Sequence, residues 1–214
     1  MTRSEVDLAA AVGLDLIASR RSIRRYVAGE LDPRIVEQVL CAGAWAPSAH
    51  NRQPWRFVVI EKMACKQRLA RAMGERLRAD RLTDGDDPVT VARDVDRSFA
   101  RITSAPLVIL VCLSMEEMDR YPDTRRQQAE HMMAIQSTAM AMQNLLLAGH
   151  ALGLGTSIMC APLFCASTVT AALALPQDWE PQGLVIMGLP ADRGKAPVRR
   201  PMVEVVWRPS HASV

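Results

Sequence analysis

The segment Ala46-Pro47-Ser48-Ala49-His50-Asn51-Arg52-Gln53-Pro54-Trp55 runs straight into the apolar stretch Trp55-Arg56-Phe57-Val58-Val59-Ile60. Its two prolines fix φ and remove backbone donors, so the chain can be neither helix nor central strand between them. Ser48, His50, Asn51 and Gln53 supply polar groups there, and a rigid polar connector of this kind commonly carries a binding role. The following run reads as a strand. Upstream, Asp32-Pro33 opens a helix as N-cap and first-turn proline, with Ile35, Val36, Val39, Leu40 and Ala44 on its inner face. The motif unit is therefore helix, polar connector, strand.

Working outward, Glu5 to Ser19 has helical periodicity through Leu8, Val12, Leu16 and Ile17, and it ends in Arg20-Arg21-Ser22-Ile23-Arg24-Arg25-Tyr26. Beyond the first strand, Lys62 to Asp80 predicts a basic amphipathic helix and Val89 to Ile102 a second helix. Pro106 to Leu113 is a continuous apolar run, expected of a strand covered on both faces. Ser114 to Gln127 is a polar excursion with the character of a cover over a site. From His131 to Gln177 there is no Asp, Glu, Lys or Arg. To about Leu152 this span predicts a helix apolar nearly all round, buried in a core or a subunit interface. Its Gln136, Gln143 and Asn144, with His150, argue against a membrane span. Gly153-Leu154-Gly155-Thr156-Ser157-Ile158 turns into a short strand, and Pro162 to Leu175 is a small helix. Asp178 to Pro181 reads as a loop, Leu184 to Gly188 as a third apolar strand, and Val203 to Trp207 alternates like a final strand. Interleaved helices and few strands give an α+β or α/β class with a small sheet, with no linker dividing the 214 residues into separate domains.

Composition excludes several functions. A net charge of +3 on 214 residues is too small for nucleic acid or a membrane surface. Met1 to Ser19 contains Glu5, Asp7 and Asp15, unlike a signal peptide. The five cysteines, without CxxC spacing and in apolar settings, read as buried thiols of a cytoplasmic protein. The histidines (His50, His131, His150, His211) are scattered, which argues against a metal site. GxGxxG, GxxxxGK[ST], HExxH and GxSxG are all absent. If the chain is an enzyme, its hard chemistry would then belong to an organic cofactor. Arg20, Arg21 and Arg24, with Arg199 and Arg200, suit a phosphate monoester, whose oxygens planar guanidinium forks match bidentately; Ser22 adds a hydroxyl.

In this order and spacing, Arg20-Arg21-Ser22-Ile23-Arg24, Ala46-Pro47-Ser48 with Asn51, Gln53, Pro54 and Trp55, Gly153-Leu154-Gly155, and a basic C-terminal segment resemble the flavin-dependent nitroreductase family over about residues 18–207. The resemblance implies an α+β sandwich with a small mixed sheet flanked by helices and a long apolar dimer helix. It also implies an intertwined homodimer that binds FMN and passes electrons from NAD(P)H to a small-molecule acceptor by a ping-pong cycle. By the same resemblance, Arg20, Arg21, Ser22 and Arg24 hold the ribityl phosphate and Arg199 and Arg200 close over it. Pro47, Ser48, Asn51 and Gln53 come from the partner subunit to lie beside the isoalloxazine. Met159, Cys160 and Ala161 present backbone N–H groups to its N5 edge. Apart from the resemblance, Tyr121 is a candidate substrate contact because it lies in the polar excursion, and such excursions often act as lids. The stretch from Tyr121 to Pro190, with Tyr121-Pro122-Asp123 and Leu175 to Pro181, also resembles the C-terminal flavin domain of the deazaflavin-coenzyme glutamate ligase, which implies a deazaflavin ligand as the alternative.

Overall fold

The computed structural model describes residues 3–209 and the side chains of residues 10–209; the Leu8 side chain and His211 lie outside these. The elements are α1 (Arg3–Ser19), α2 (Pro33–Ala44), β1 (Trp55–Ile60), α3 (Met63–Thr83), α4 (Pro88–Ser104), β2 (Leu107–Ser114), α5 (Thr124–Ala151), β3 (Gly155–Met159), α6 (Ala166–Leu173), β4 (Trp179–Gly188) and α7 (Met202–Val205).

β2 decides the layering. All of its residues are buried, and strand pleating sends alternate side chains to opposite faces. Val108, Leu110 and Cys112 face a layer made by Leu69, Ala70 and Met73 of α3, Ile102 of α4 and Val169 of α6. Leu107, Ile109 and Val111 face Val36 and Val39 of α2 and Leu145 and Leu146 of α5. The result is helices, sheet, helices: the expected α+β sandwich.

The sheet order is β1-β2-β4-β3. Every strand pair is antiparallel, not mixed; the parallel component is the lone Ser22–Thr156 bridge at the β3 edge. β4 begins at Trp179, so the expected loop from Asp178 to Pro181 is mostly strand. The register slips where Cys112 faces Pro181 and Val111 faces Gly183. A proline cannot donate to the ladder, so the strand continues past it through a bulge.

α5 starts at Thr124, seven residues before the apolar run, because the Asp123 carboxylate caps it by accepting from Arg126 N at 2.9 Å. The polar excursion thereby shortens to Met115–Asp123. One face of α5 is buried through Ala134, Thr138, Ala141 and Leu145, whereas Met132 and Met140 on the other remain exposed. Within one chain it is not buried on all sides. α1 likewise exposes Val12, Leu14 and Ile17.

Two further expectations fail for local reasons. Val203 to Trp207 finds no strand to pair with and closes a single helical turn, Val206 N donating to Met202 O at 2.9 Å; Val203 and Trp207 stay exposed. Of the cysteines, Cys112 alone is buried, while Cys41 and Cys160 are exposed. Cys112 sits on the fully covered β2, and burial pushes its thiol up to about 12. Trp55 is core, as a strand-opening aromatic should be. No described helix is long and apolar enough to cross a membrane.

Candidate functional site: a cationic cleft and a strained connector

Leaving α1, the chain lays residues 20–27 along the sheet edge. Ile23 N donates to Thr156 O of β3 at 3.0 Å, and Val27 N to Leu189 O at 2.9 Å. The segment after β4 returns beside it, Ala191 N donating to Arg25 O at 3.0 Å. Between them opens a cleft of about 530 Å³ lined by Arg20, Arg21, Ser22, Arg24, Arg193, Lys195 and Arg199. Asp192, the carboxylate on its wall, is bound by Arg25 Nε at 2.8 Å, which holds its carboxyl below the usual range. Arg20 is pushed below the ordinary guanidinium range by burial and by its neighbours Arg199 and Arg21. Arg101, on α4, is lowered by burial and then by Arg24, so it adds another cation beside the cleft.

Clustered like charges destabilise the fold unless an anion joins them, and planar guanidiniums are suited to phosphate. Gly194 lets the turn after β4 pack closely against the cleft's other wall. It has φ +64°, and a Cβ there would lie 2.7 Å from Ile23 Cδ1 and 3.1 Å from Arg21 Cβ. These residues fit a phosphate-bearing cofactor. Arg20, Arg21, Ser22, Arg24 and Arg199 are thus brought together as expected. Arg200 is exposed and does not line the cleft. Arg193, Gly194, Lys195 and Arg101 were missed; the basic run from Arg193 to Arg200 signalled the first and third.

Met159 ends β3, three residues beyond the Thr156 that pairs with Ser22, and Cys160 and Ala161 follow it into a short turn. At the rise of a strand that is roughly 10 Å along the same edge. Cleft and β3 end therefore form one continuous border.

The connector lies elsewhere. Trp55 pairs with Leu113, six residues along β2 from Leu107, which is level with Met187 and Thr156. That is roughly 20 Å along the strands and three strand spacings, roughly 14 Å, across the sheet. Connector and cleft occupy diagonal corners. In the connector His50 (φ 50°), Asn51 (φ 54°) and Gln53 (φ 50°) are left-handed without being glycine, a cost on the order of 1 kcal/mol each. Gln53 N donates to Ser48 Oγ at 3.0 Å and Asn51 N to Ser48 O at 3.0 Å. Ala49 N reaches Ser137 Oγ of α5 at 3.3 Å. Pro47, Asn51 and Gln53 are exposed and Ser48 half-buried.

Tyr121 lies in the Met115–Asp123 loop, under the Arg126 guanidinium at 5.0 Å from its ring centroid. It walls a cavity of about 670 Å³ with Met115, Gln127, His131 and Met132. His131 Nε2 is 2.8 Å from Glu180 Oε2.

Helices on both faces of a four-stranded antiparallel sheet, with a cationic cleft on one edge, define the class as a nitroreductase-type α+β fold. The nitroreductase family pattern matches residues 17–189, and the chain belongs to that family, hence to the oxidoreductases. It is 29% identical to an NADH dehydrogenase of Thermus thermophilus, over 88% of this chain and 92% of that protein. A Methanothermobacter thermautotrophicus protein described as an NADH dehydrogenase/NAD(P)H nitroreductase is 27% identical over 66% of this chain, but the match spans only 57% of that protein. Among solved structures, a Desulfovibrio desulfuricans protein described as a nitroreductase in complex with FMN superposes with TM-score 0.70 at 30% identity, covering 92% of this chain and 96% of its own. A BluB-like flavoprotein from Clostridium difficile shares the fold at TM-score 0.75 and 21% identity, over 92% of this chain and 98% of its own.

Proposed function

We propose that this chain is a single-domain FMN-dependent oxidoreductase of the cytoplasm, acting as a homodimer and moving electrons from NAD(P)H to a nitroaromatic, quinone or other small conjugated acceptor. The observation that carries the reading is the cleft. Six arginines and a lysine converge there, and the one carboxylate, Asp192, is taken by Arg25, at the start of a sheet edge that leads to Met159. Arg20, Arg21, Arg24 and Arg199 neutralise the FMN phosphate, Ser22 adds a hydroxyl donor, and the 192–195 turn closes on it through Gly194. Along β3, the backbone N–H groups of Met159, Cys160 and Ala161 orient the ring system; Cys160 acts through its backbone. When bound, FMN supplies the redox chemistry, taking hydride from the nicotinamide and passing electrons to the acceptor in a ping-pong cycle.

A second copy completes the site. The connector of the same chain lies roughly 25 Å from the cleft by the spacings of the sheet, farther than FMN extends. Pro47, Ser48, Asn51 and Gln53 therefore belong to the flavin of a partner. Support comes from the apolar surface that one chain leaves uncovered: Val12, Leu14 and Ile17 on α1, Met132 and Met140 on α5, and Val203 and Trp207 in the tail. Tyr121 and its cavity, of ordinary small-ligand size, take the acceptor.

The test is the absorbance of the purified protein and the identity of the chromophore it releases. Oxidised-flavin bands with one FMN per chain and NAD(P)H oxidation in the presence of quinone or nitroaromatic support the reading. A colourless protein that takes up no added FMN overturns it. The surplus of cations also suits the acidic tail of a deazaflavin coenzyme, to which the Tyr121–Pro190 resemblance points. Competitive titration of the apoprotein with FMN and with that coenzyme separates the two.

A further inference from the structure

We propose that Arg52 and Asp119 are a positioning pair that holds the Pro47–Gln53 connector in its left-handed shape and ties it to the loop walling the Tyr121 cavity. The inference rests on the reading above, in which the connector lies against a flavin.

Three of the four residues from His50 to Gln53 hold positive φ without glycine. Such a shape persists only where its surroundings over-determine it. The bonds from Ser48 to Asn51 and Gln53 are local and move with the connector. Three side-chain ties leave it: Arg56 Nη1 of the adjoining β1 to Gln53 O at 3.2 Å, Ala49 N to Ser137 Oγ at 3.3 Å, and Arg52 Nη2 to Asp119 Oδ1 at 2.5 Å. The last alone is an ion pair and alone reaches the Met115–Asp123 loop, and Arg52 is also the residue between left-handed Asn51 and Gln53. Its Nε is buried without a partner among the described residues. A buried orphan donor is costly, so the guanidinium is held by its pair at the expense of its own satisfaction.

Asp119 is in turn anchored. Its N–H donates at 3.1 Å to Oε1 of Glu130, a carboxylate 1% exposed on α5. Met118 beside it packs into the cluster of Leu113 and Ala134. The chain of contacts runs from α5 through Glu130 and Asp119 to Arg52 and the connector. The same Met115–Asp123 loop carries Tyr121 and Met115, which wall the cavity. One pair thus couples the acceptor-side wall to the flavin-side connector, as neither segment's own hydrogen bonds do.

The experiment compares the FMN-loaded wild type with Arg52→Gln, Asp119→Asn, the double variant and Arg52→Lys. Amide hydrogen exchange at Ala49, Asn51 and Gln53 is measured with FMN content, Tm and the two half-reactions. Each single loss should speed exchange at Asn51 and Gln53 about tenfold, a local opening, while FMN content holds. Acceptor KM should rise about fivefold with reduction by NAD(P)H within about twofold, and the double variant should match the worse single, the signature of one shared interaction. Arg52→Lys, keeping the charge, should restore most of the protection. Unchanged exchange in both single variants, or effects that simply add in the double, overturns the pair. Should the wild type retain no FMN, the functional reading fails by itself, and the exchange data on apoprotein still decide whether the pair holds the connector.

Discussion

In the cleft, Arg20, Arg21, Arg24 and Arg199 crowd together on relaxed backbone, and the instability lies in their charges. In the connector, His50, Asn51 and Gln53 carry little charge, and the instability lies in their dihedral angles. The first kind is relieved by an anion arriving from solution. The second is not relieved by binding at all; it is maintained by ties to α5 and to Asp119, and it serves to present a fixed surface. In the proposed homodimer the first corner would take the phosphate and the second would lie against the partner's flavin, so that two copies share each site.

The largest expected effect tests the charged corner. Arg20→Ala should weaken FMN binding about 10- to 100-fold, the value of a charge-assisted hydrogen bond to phosphate, measured by flavin fluorescence titration against Arg78→Ala on the exposed face of α3. Lys66 would be a misleading control. Although it belongs to the basic helix α3, its amine is buried and donates to the carbonyl oxygens of Ala105 and Pro106 at 2.6 and 2.8 Å. Lys66→Ala should therefore lower stability by about 1–3 kcal/mol in denaturant unfolding by stranding those acceptors, and FMN loss equal to that of Arg20→Ala would dissolve the contrast.

Removal of FMN comes next. At a hundredfold excess over Kd, bound cofactor should add about 2.7 kcal/mol to stability, and calorimetry of Arg20→Ala at the same FMN concentration should show about half of that increment or more missing. Asn51→Ala should weaken FMN binding by no more than about fivefold, since one contact of a neutral group is worth about 1 kcal/mol. It should nevertheless shift the flavin absorbance and circular dichroism, and only where the protein is dimeric by light scattering; a shift in a monomer would put the connector beside its own chain's cleft. The smallest effect is His50→Gly. Freed from the left-handed penalty but with a more mobile unfolded chain, it should change stability by no more than about 1 kcal/mol, whereas a larger loss would mean that the His50 side chain itself secures the corner.

Much of this was legible in advance because it rests on local chemistry. Asp32-Pro33 starts α2, Trp55–Ile60 is a strand with the expected limits, and Pro106–Leu113 is the covered central strand. Each follows from capping, proline or apolar patterning over a few residues. The four phosphate-binding candidates near Ser22 were likewise visible, since their residue types and spacing state the chemistry themselves. Arg101 and Gly194 were not, because nothing local marks a residue that becomes important by lying next to Arg24 or Ile23.

By itself, then, the sequence determined the order of elements as far as β4, a class that mixes helices with a small sheet, the cationic cluster and the identity of the polar connector, all matters of short-range pattern. Tertiary structure alone decided that the sheet is antiparallel, that β4 absorbs Pro181 through a bulge, and that Val203 to Trp207 has no strand to join. It alone set cleft and connector on diagonal corners and brought Asp119 to Arg52 across 67 residues of chain. Hydrogen-bond pairing and side-chain contact across such separations depend on how whole layers pack, and no local pattern encodes them.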